Sequence, residues 1–179
     1  YQRDSLKDFL KYLGHFLVLG FKGLMDYLFS RKKRKLAHNA MAGEFSFFAF
    51  CIVMSFINLP ATIAVFVVTF FISRMIMMVG NWAQHSFIDP ADPADPYKNC
   101  ITTLNVKYNK RCWNDGYHNS HHARPALHWS EHPHFFRDNL AVYAANDAVV
   151  FDRLDFGGVF FCLMTRNYKK LAQHFVNIN

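Results

Sequence analysis

Hydrophobic and polar positions sort this chain into three regimes. Over residues 4–29, Asp4, Asp8, Lys11, His15, Lys22 and Asp26 recur at intervals of three, four and seven, and nearly everything between them is Leu, Phe, Tyr, Val or Gly. A thin polar stripe on a broad apolar cylinder predicts a helix lying in the membrane interface or packed against membrane helices. From Phe45 to Val79 the only charge is Arg74, and the apolar run breaks at Asn58-Leu59-Pro60. Proline lacks an amide donor and disfavours helix in the residue before it, so the break reads as a turn between two apolar helices. At about 1.5 Å per residue each arm reaches roughly 20–28 Å, a little under a hydrocarbon core of about 30 Å. Two short spans fit this pattern, and so does the buried helical hairpin of a soluble protein. Flanking charge favours the spans. Arg31-Lys32-Lys33-Arg34-Lys35 precedes the first arm, and an even number of spans returns the chain to that side, which the positive-inside rule makes cytosolic or its organellar equivalent.

The third regime, from residue 81 onward, has no long apolar stretch. Asp89-Pro90, Asp92-Pro93 and Asp95-Pro96 forbid regular helix and predict an extended loop, with Asp89 near enough to His85 to back its ring. Residues 101–108 alternate weakly and read as a short strand or an irregular loop. Residues 135–179 mix helix and turn signals, with a helix expected from Tyr168 to Val176. The reading is an all-α chain forming one domain over 1–179: an interfacial amphipathic helix (4–29), an integral-membrane apolar hairpin (45–79), a histidine-rich region (81–134) and a C-terminal cap on the cytosolic side (135–179).

Charge and cysteine content refine this picture slightly. The net charge of +7 and the basic run suit anionic lipid headgroups. Beside an apolar hairpin, a nucleic-acid partner is not expected. Cys51, Cys100, Cys112 and Cys162 have no paired spacing and read as free thiols without a redox role.

The chemistry concentrates in Tyr117-His118-Asn119-Ser120-His121-His122. On a helix, positions i, i+3 and i+4 share a face, so His118, His121 and His122 are expected to converge on one point, and three convergent imidazoles indicate a metal. Asn81 and His85, one turn apart where the second apolar arm ends, offer an amide and a fourth imidazole. His128, His132 and His134 look suited to hydrogen bonding or packing in a loop over the site, and His15 and His38 to solvated or capping roles. Asp115 reads equally as a ring partner for His118 or a helix N-terminal charge. Zinc would imply hydrolysis, but the His-Glu-x-x-His signature is absent. Iron would imply oxygen activation and hydrogen abstraction, for which a membrane offers acyl chains.

Asn81-x-x-x-His85, the run Asn114 to His122, and the apolar hairpin before them resemble the C-terminal half of an integral-membrane fatty acid desaturase. The resemblance implies a diiron centre with His118, His121 and His122 as third-box ligands, His85 as an extra ligand, and Asn81 touching metal through a water. It further implies O2 as oxidant, an acyl-lipid substrate, an electron donor of cytochrome b5 or ferredoxin type, and an endoplasmic reticulum, mitochondrial or chloroplast membrane. The family's first and second histidine boxes have no counterpart here, so the chain is expected to be an incomplete fragment of a longer enzyme. The alternative is a non-catalytic desaturase-like subunit of a larger membrane complex.

Overall fold

The computed structural model describes residues 1–178, which are mostly helical, and the chain divides into two compact units. One comprises residues 9–78; the other combines 1–8 with 79 onward.

The first unit is built from three long helices: most of α1 (Leu6–Ser30), α2 (Arg34–Thr62), a π-helical turn (Ile63–Val67), and α3 (Val68–Gln84) as far as Met78. Met25 and Leu28 of α1 pack on Ala37 of α2. Within α2 the backbone leaves helical geometry at one residue, Asn58 (φ −155°, ψ 94°). These are the dihedrals of an N-cap, and the Asn58 side chain accepts a hydrogen bond from Ala61 N at 3.0 Å. Pro60 therefore falls in the first turn of a new helix, where its missing N–H costs nothing. The break reverses the chain: Phe47 stacks on Phe70 with centroids 5.4 Å apart, Phe50 meets Phe66 at 5.1 Å, and Arg74 reaches Glu44 at 3.1 Å. Each arm extends beyond the stretch from Phe45 to Val79, whose one charge, Arg74, is matched by Glu44, one residue before that stretch begins.

The 51-residue helical segment Arg34–Gln84 is long and apolar enough to cross a membrane, and only 11 % of its most apolar 18-residue window is buried within the protein. Phe45, Phe56, Ile57 and Ile76 are all exposed. Burying such surface stabilises by about 25 cal/mol per Å2, so left in water these helices would forgo most of what their side chains offer.

The second unit is not all-α. Ile101–Leu104 (β1) and Val149–Asp152 (β2) form a two-stranded parallel ladder, Ile101 opposite Val149. Weak alternation over 101–108 was compatible with a strand, but the partner lies almost fifty residues away, in the segment read as helix and turn. Around this ladder pack α4 (Lys107–Arg111), α5 (His118–Ala123), a 3-10 turn (Trp129–Glu131), α6 (His132–Asp138), α7 (Leu140–Ala145), α8 (Phe156–Met164) and α9 (Tyr168–His174). One core joins Ile101 and Phe151 of the ladder to Phe156, Val159 and Leu163 of α8; a second joins Val150 to Phe136 and Tyr143. The Asp-Pro loop is a staircase of turns, with Asp89 and Asp95 carboxylates accepting from the amides of Ala91 and Tyr97. The N-terminal residues are tied in as well. Trp82 Nε1 donates to the Arg3 carbonyl at 3.0 Å beneath the Arg3 guanidinium, and Asp4 accepts from the Tyr168 hydroxyl.

Candidate metal centre

Helix α5 has six residues, too few to persist by local hydrogen bonding alone, and buried polar ties fix it instead. Tyr117, just before it, bridges to Thr102 of β1, and the Gly116 carbonyl accepts from Thr103 N at 2.7 Å. Asn119 is fully buried. Its amide donates to the carbonyls of Pro96 (2.9 Å) and Cys100 (3.0 Å), and its oxygen accepts from Thr102 Oγ1 (2.7 Å). Ser120, equally buried, donates to the Tyr117 carbonyl at 2.6 Å. Asn119 and Ser120 thus anchor α5 on the side away from its histidines.

His85 arrives from the other direction, one residue past α3, its amide bonded to the Asn81 carbonyl one turn earlier (3.2 Å). Its Nδ1 lies 2.7 Å from the Asn99 carbonyl. A carbonyl only accepts, so Nδ1 carries the proton and Nε2 keeps its lone pair. Asp89 is therefore not the group that backs this ring; the backbone of Asn99 is.

The rings of His85, His118 and His122 stand together, centroids 5.3, 5.1 and 4.8 Å apart, and one donor atom from each lies within 4.8 Å of the other two. The Nε2 atoms of His118 and His122 are 3.2 Å apart. Imidazole nitrogens bind metal at about 2.0–2.1 Å, so two on one tetrahedral or octahedral ion stand roughly 3.0–3.4 Å from each other. This pair fits. His118 is buried, and its Nδ1 has no acceptor closer than Asp115 Oδ1 at 3.4 Å, an approach and not a formed hydrogen bond. Asp115 is itself steered by Tyr108 Oη and Gln84 Nε2, which donate to its Oδ2 at 2.7 and 2.9 Å. Burial raises the Asp115 pKa, but the neighbouring His118 imidazole and Tyr108 hydroxyl outweigh it and hold the carboxyl below its usual value.

Burial and the crowding of imidazoles favour the neutral form of His85 and His122. His122 is pushed down to about 4, first by burial and then by His118, His85 and His121. His85 is lowered, mainly by burial, against the opposing bond to Asn99. Neutral imidazole is the form that binds a metal.

His121 stands apart from the trio. Successive residues on a helix are about 100° apart, so His121 and His122 diverge, and only one of them can turn with His118 toward His85. His122 does. His121 is exposed, 5.7 Å from His118 and 5.9 Å from His122 between centroids, and lines a different cavity. Asn81 sits on the last turn of α3, directly before His85. His128 Nδ1 and Ser130 Oγ lie 2.9 Å apart at the start of the 3-10 turn, His134 Nδ1 accepts from Arg137 at 2.6 Å, and His38 packs edge-on against Phe29. The anchors Asn99, Asn119, Ser120, Tyr108 and Gln84 were not anticipated. Asn119 and Ser120 were nonetheless detectable, since within a helical histidine motif the intervening positions face the opposite side.

The sequence profile of the fatty acid desaturase family matches residues 3–153, which include both arms of the apolar segment, His85 and all of α5. No curated protein and no solved structure gives a significant match.

Proposed function

The chain belongs to the fatty acid desaturase family, and on that premise we propose that it serves oxidative desaturation of acyl-lipid chains, with His85, His118 and His122 holding one iron of a diiron centre. His121 is assigned to the second iron and Asn81 to a water-mediated contact. The observation that carries the reading is the meeting of three imidazoles from two distant stretches of chain, His85 after α3 and the pair on α5, with donor atoms within 4.8 Å. When bound, iron supplies the redox change that O2 activation and hydrogen removal from an unactivated carbon require, with electrons from a cytochrome b5 or ferredoxin-type donor.

The chain's own groups do the rest. The Asn99 carbonyl fixes His85 with Nε2 toward its partners, and Asn119 and Ser120 hold α5 so that His118 and His122 need not reorganise. The Asp115 carboxylate lies beside His118 Nδ1, where it stabilises positive charge drawn onto that ring. The uncovered apolar segment Arg34–Gln84 suits insertion in an endoplasmic reticulum or organellar membrane, where the acyl substrate resides. Further histidines, which the resemblance assigns to two boxes this sequence lacks, would complete the pair of ions.

Iron content of the complete purified protein tests this reading. About two irons per polypeptide are expected, with His118→Ala losing metal and unsaturated product together. A wild-type protein that retains no iron and produces no oxidised lipid, yet copurifies with a stable membrane partner, would instead mark a non-catalytic subunit.

A further inference from the structure

The unit of residues 9–78 carries more positive charge than it can match. Its only carboxylates are Asp26 and Glu44, and both are taken, Asp26 by Lys22 at 2.5 Å and Glu44 by Arg74 at 3.1 Å. Arg31, Lys32, Lys33, Arg34 and Lys35 remain, all exposed at the turn from α1 to α2, and among the described residues no carboxylate pairs with any of them. Local backbone rules do not ask for these charges. Lys33 N donates to the Leu28 carbonyl and Lys32 N to the Phe29 carbonyl, both at 2.9 Å, the two bonds that close a helix through one left-handed residue. That residue is Lys32 (φ 56°), at a position glycine fills without strain and a lysine does not. Arg34 and Lys35 stand in the first turn of α2, where the helix dipole disfavours cations. Lys32, Lys33, Arg34 and Lys35 line an open cleft of about 340 Å3 together with Leu36 and Asn39. Tyr27, Phe29 and Leu36, flanking the cluster in sequence, are exposed as well. A free phosphate would use the charge but not the apolar flanks, whereas a phospholipid uses both.

We propose that the turn between α1 and α2 is a docking site for an anionic phospholipid, its headgroup phosphate among Lys32, Lys33, Arg34 and Lys35 and its acyl chains along Phe29 and Leu36. The proposal rests on the membrane reading above and adds to it a choice of lipid. A negative membrane surface favours each nearby cation by about fivefold, so a cluster this dense separates an anionic lipid from a zwitterionic one, whose choline cancels its phosphate. The bound lipid supplies the counter-charge that Asp26 and Glu44 cannot, and it relieves the mutual repulsion of like charges in a single turn.

The whole protein, reconstituted in phosphatidylcholine vesicles with a trace of spin-labelled phosphatidylglycerol or spin-labelled phosphatidylcholine, tests this through the fraction of each label that electron paramagnetic resonance finds immobilised. Phosphatidylglycerol should be preferred by about fivefold or more, and less so in high salt. Lys32→Gln, Lys33→Gln, Arg34→Gln and Lys35→Gln together should erase the preference and leave the immobilised phosphatidylcholine as it was, a sign that the apolar helices are intact. Lys32→Gly removes one charge and relieves the backbone, so it should melt at a higher temperature yet hold less phosphatidylglycerol, a pair of shifts that a merely structural role would not produce. Equal immobilisation of both lipids by the wild type, or a preference that survives the combined replacement, overturns the docking site and leaves the membrane reading standing. Displacement of phosphatidylglycerol by inorganic phosphate at constant ionic strength assigns the cluster to a free anion and overturns the lipid. No immobilised label of either kind overturns the membrane reading as well. Should the combined variant fail to reconstitute, Lys32→Gly decides, and an undiminished preference there overturns the proposal.

Discussion

The two units solve the burial problem in opposite ways. In the histidine-bearing unit, polar side chains go inward and are paired there: Asn119, Thr102 and Ser120 are fully buried, and Thr102 donates to the Asn119 side chain, Asn119 to the Pro96 carbonyl and Ser120 to the Tyr117 carbonyl. In the unit of residues 9–78, most apolar side chains go outward, and of the few buried ones Met25, Leu28 and Ala37 form a small cluster. A buried polar network penalises any displacement, because a stranded donor or acceptor costs about 1–3 kcal/mol, so it suits a site that must hold imidazoles to a few tenths of an ångström. An outward apolar surface specifies little by itself; it takes its stability from whatever surrounds it. Rigidity around the histidine cluster is thus intrinsic to the chain, whereas in the apolar unit it depends on what surrounds it.

The sharpest way to break this contrast is at Gly116. A Cβ there would stand 2.0 Å from Asn109 Oδ1 and 2.5 Å from Thr103 Oγ1. Neither can easily yield: Asn109 is buried and bonded to the Thr103 carbonyl and the Gly116 amide, at 2.8 and 2.9 Å. Gly116→Ala should destabilise the histidine-bearing unit by roughly 3 kcal/mol and weaken Co2+ uptake, while the helices of the other unit persist in detergent. Denaturant melts followed by metal release and by far-UV circular dichroism separate the two. Equal loss of both signals would mean that the units are not energetically distinct.

The contrast also explains what could be read in advance. The apolar unit follows hydrophobic pattern, and the stripe over 4–29 and the break at Asn58 were visible because local rules govern them. The pairing of β1 with β2 was not, since a parallel ladder depends on a long crossover that no short window contains. His85, His118 and His122 were legible among the candidate ligands, but their separation from His121 was not. Helical spacing permits His118, His121 and His122 to share a face; which of them turns toward His85 is settled by packing beyond the motif. The carbonyl of Asn99 left no trace at all, because any residue supplies one.

Acid should expose the same asymmetry without mutation. His122 is ordinarily protonated below 6.5, and in the folded chain only near 4. Between those values the unfolded chain binds a proton that the folded one refuses, so this contribution to stability is complete above about pH 6.5 and is lost as pH falls toward 4. His85, lowered in the same direction, adds to the effect. Metal-free protein should therefore melt progressively more easily across that window, and His122→Gln should flatten the dependence. A melting profile that is level from pH 6.5 to 4 would show that these rings are solvated and not held neutral by burial.

The smallest effect belongs to the apolar unit, at Asn58. Its side chain caps the second arm by accepting from Ala61 N, and Thr62 Oγ1 donates back to the Asn58 carbonyl at 2.8 Å. Asn58→Ala removes the cap and should cost about 1 kcal/mol. The reversal itself should survive, because Pro60 still prevents a continuous helix and the contacts Phe47–Phe70 and Glu44–Arg74 lie well away from the turn. A disulfide between cysteines introduced at positions 47 and 70 provides the check: it should form as readily in Asn58→Ala as in the parent. If it forms only in the parent, a single polar side chain decides the path of the apolar segment, and the view that surroundings confer its order is wrong.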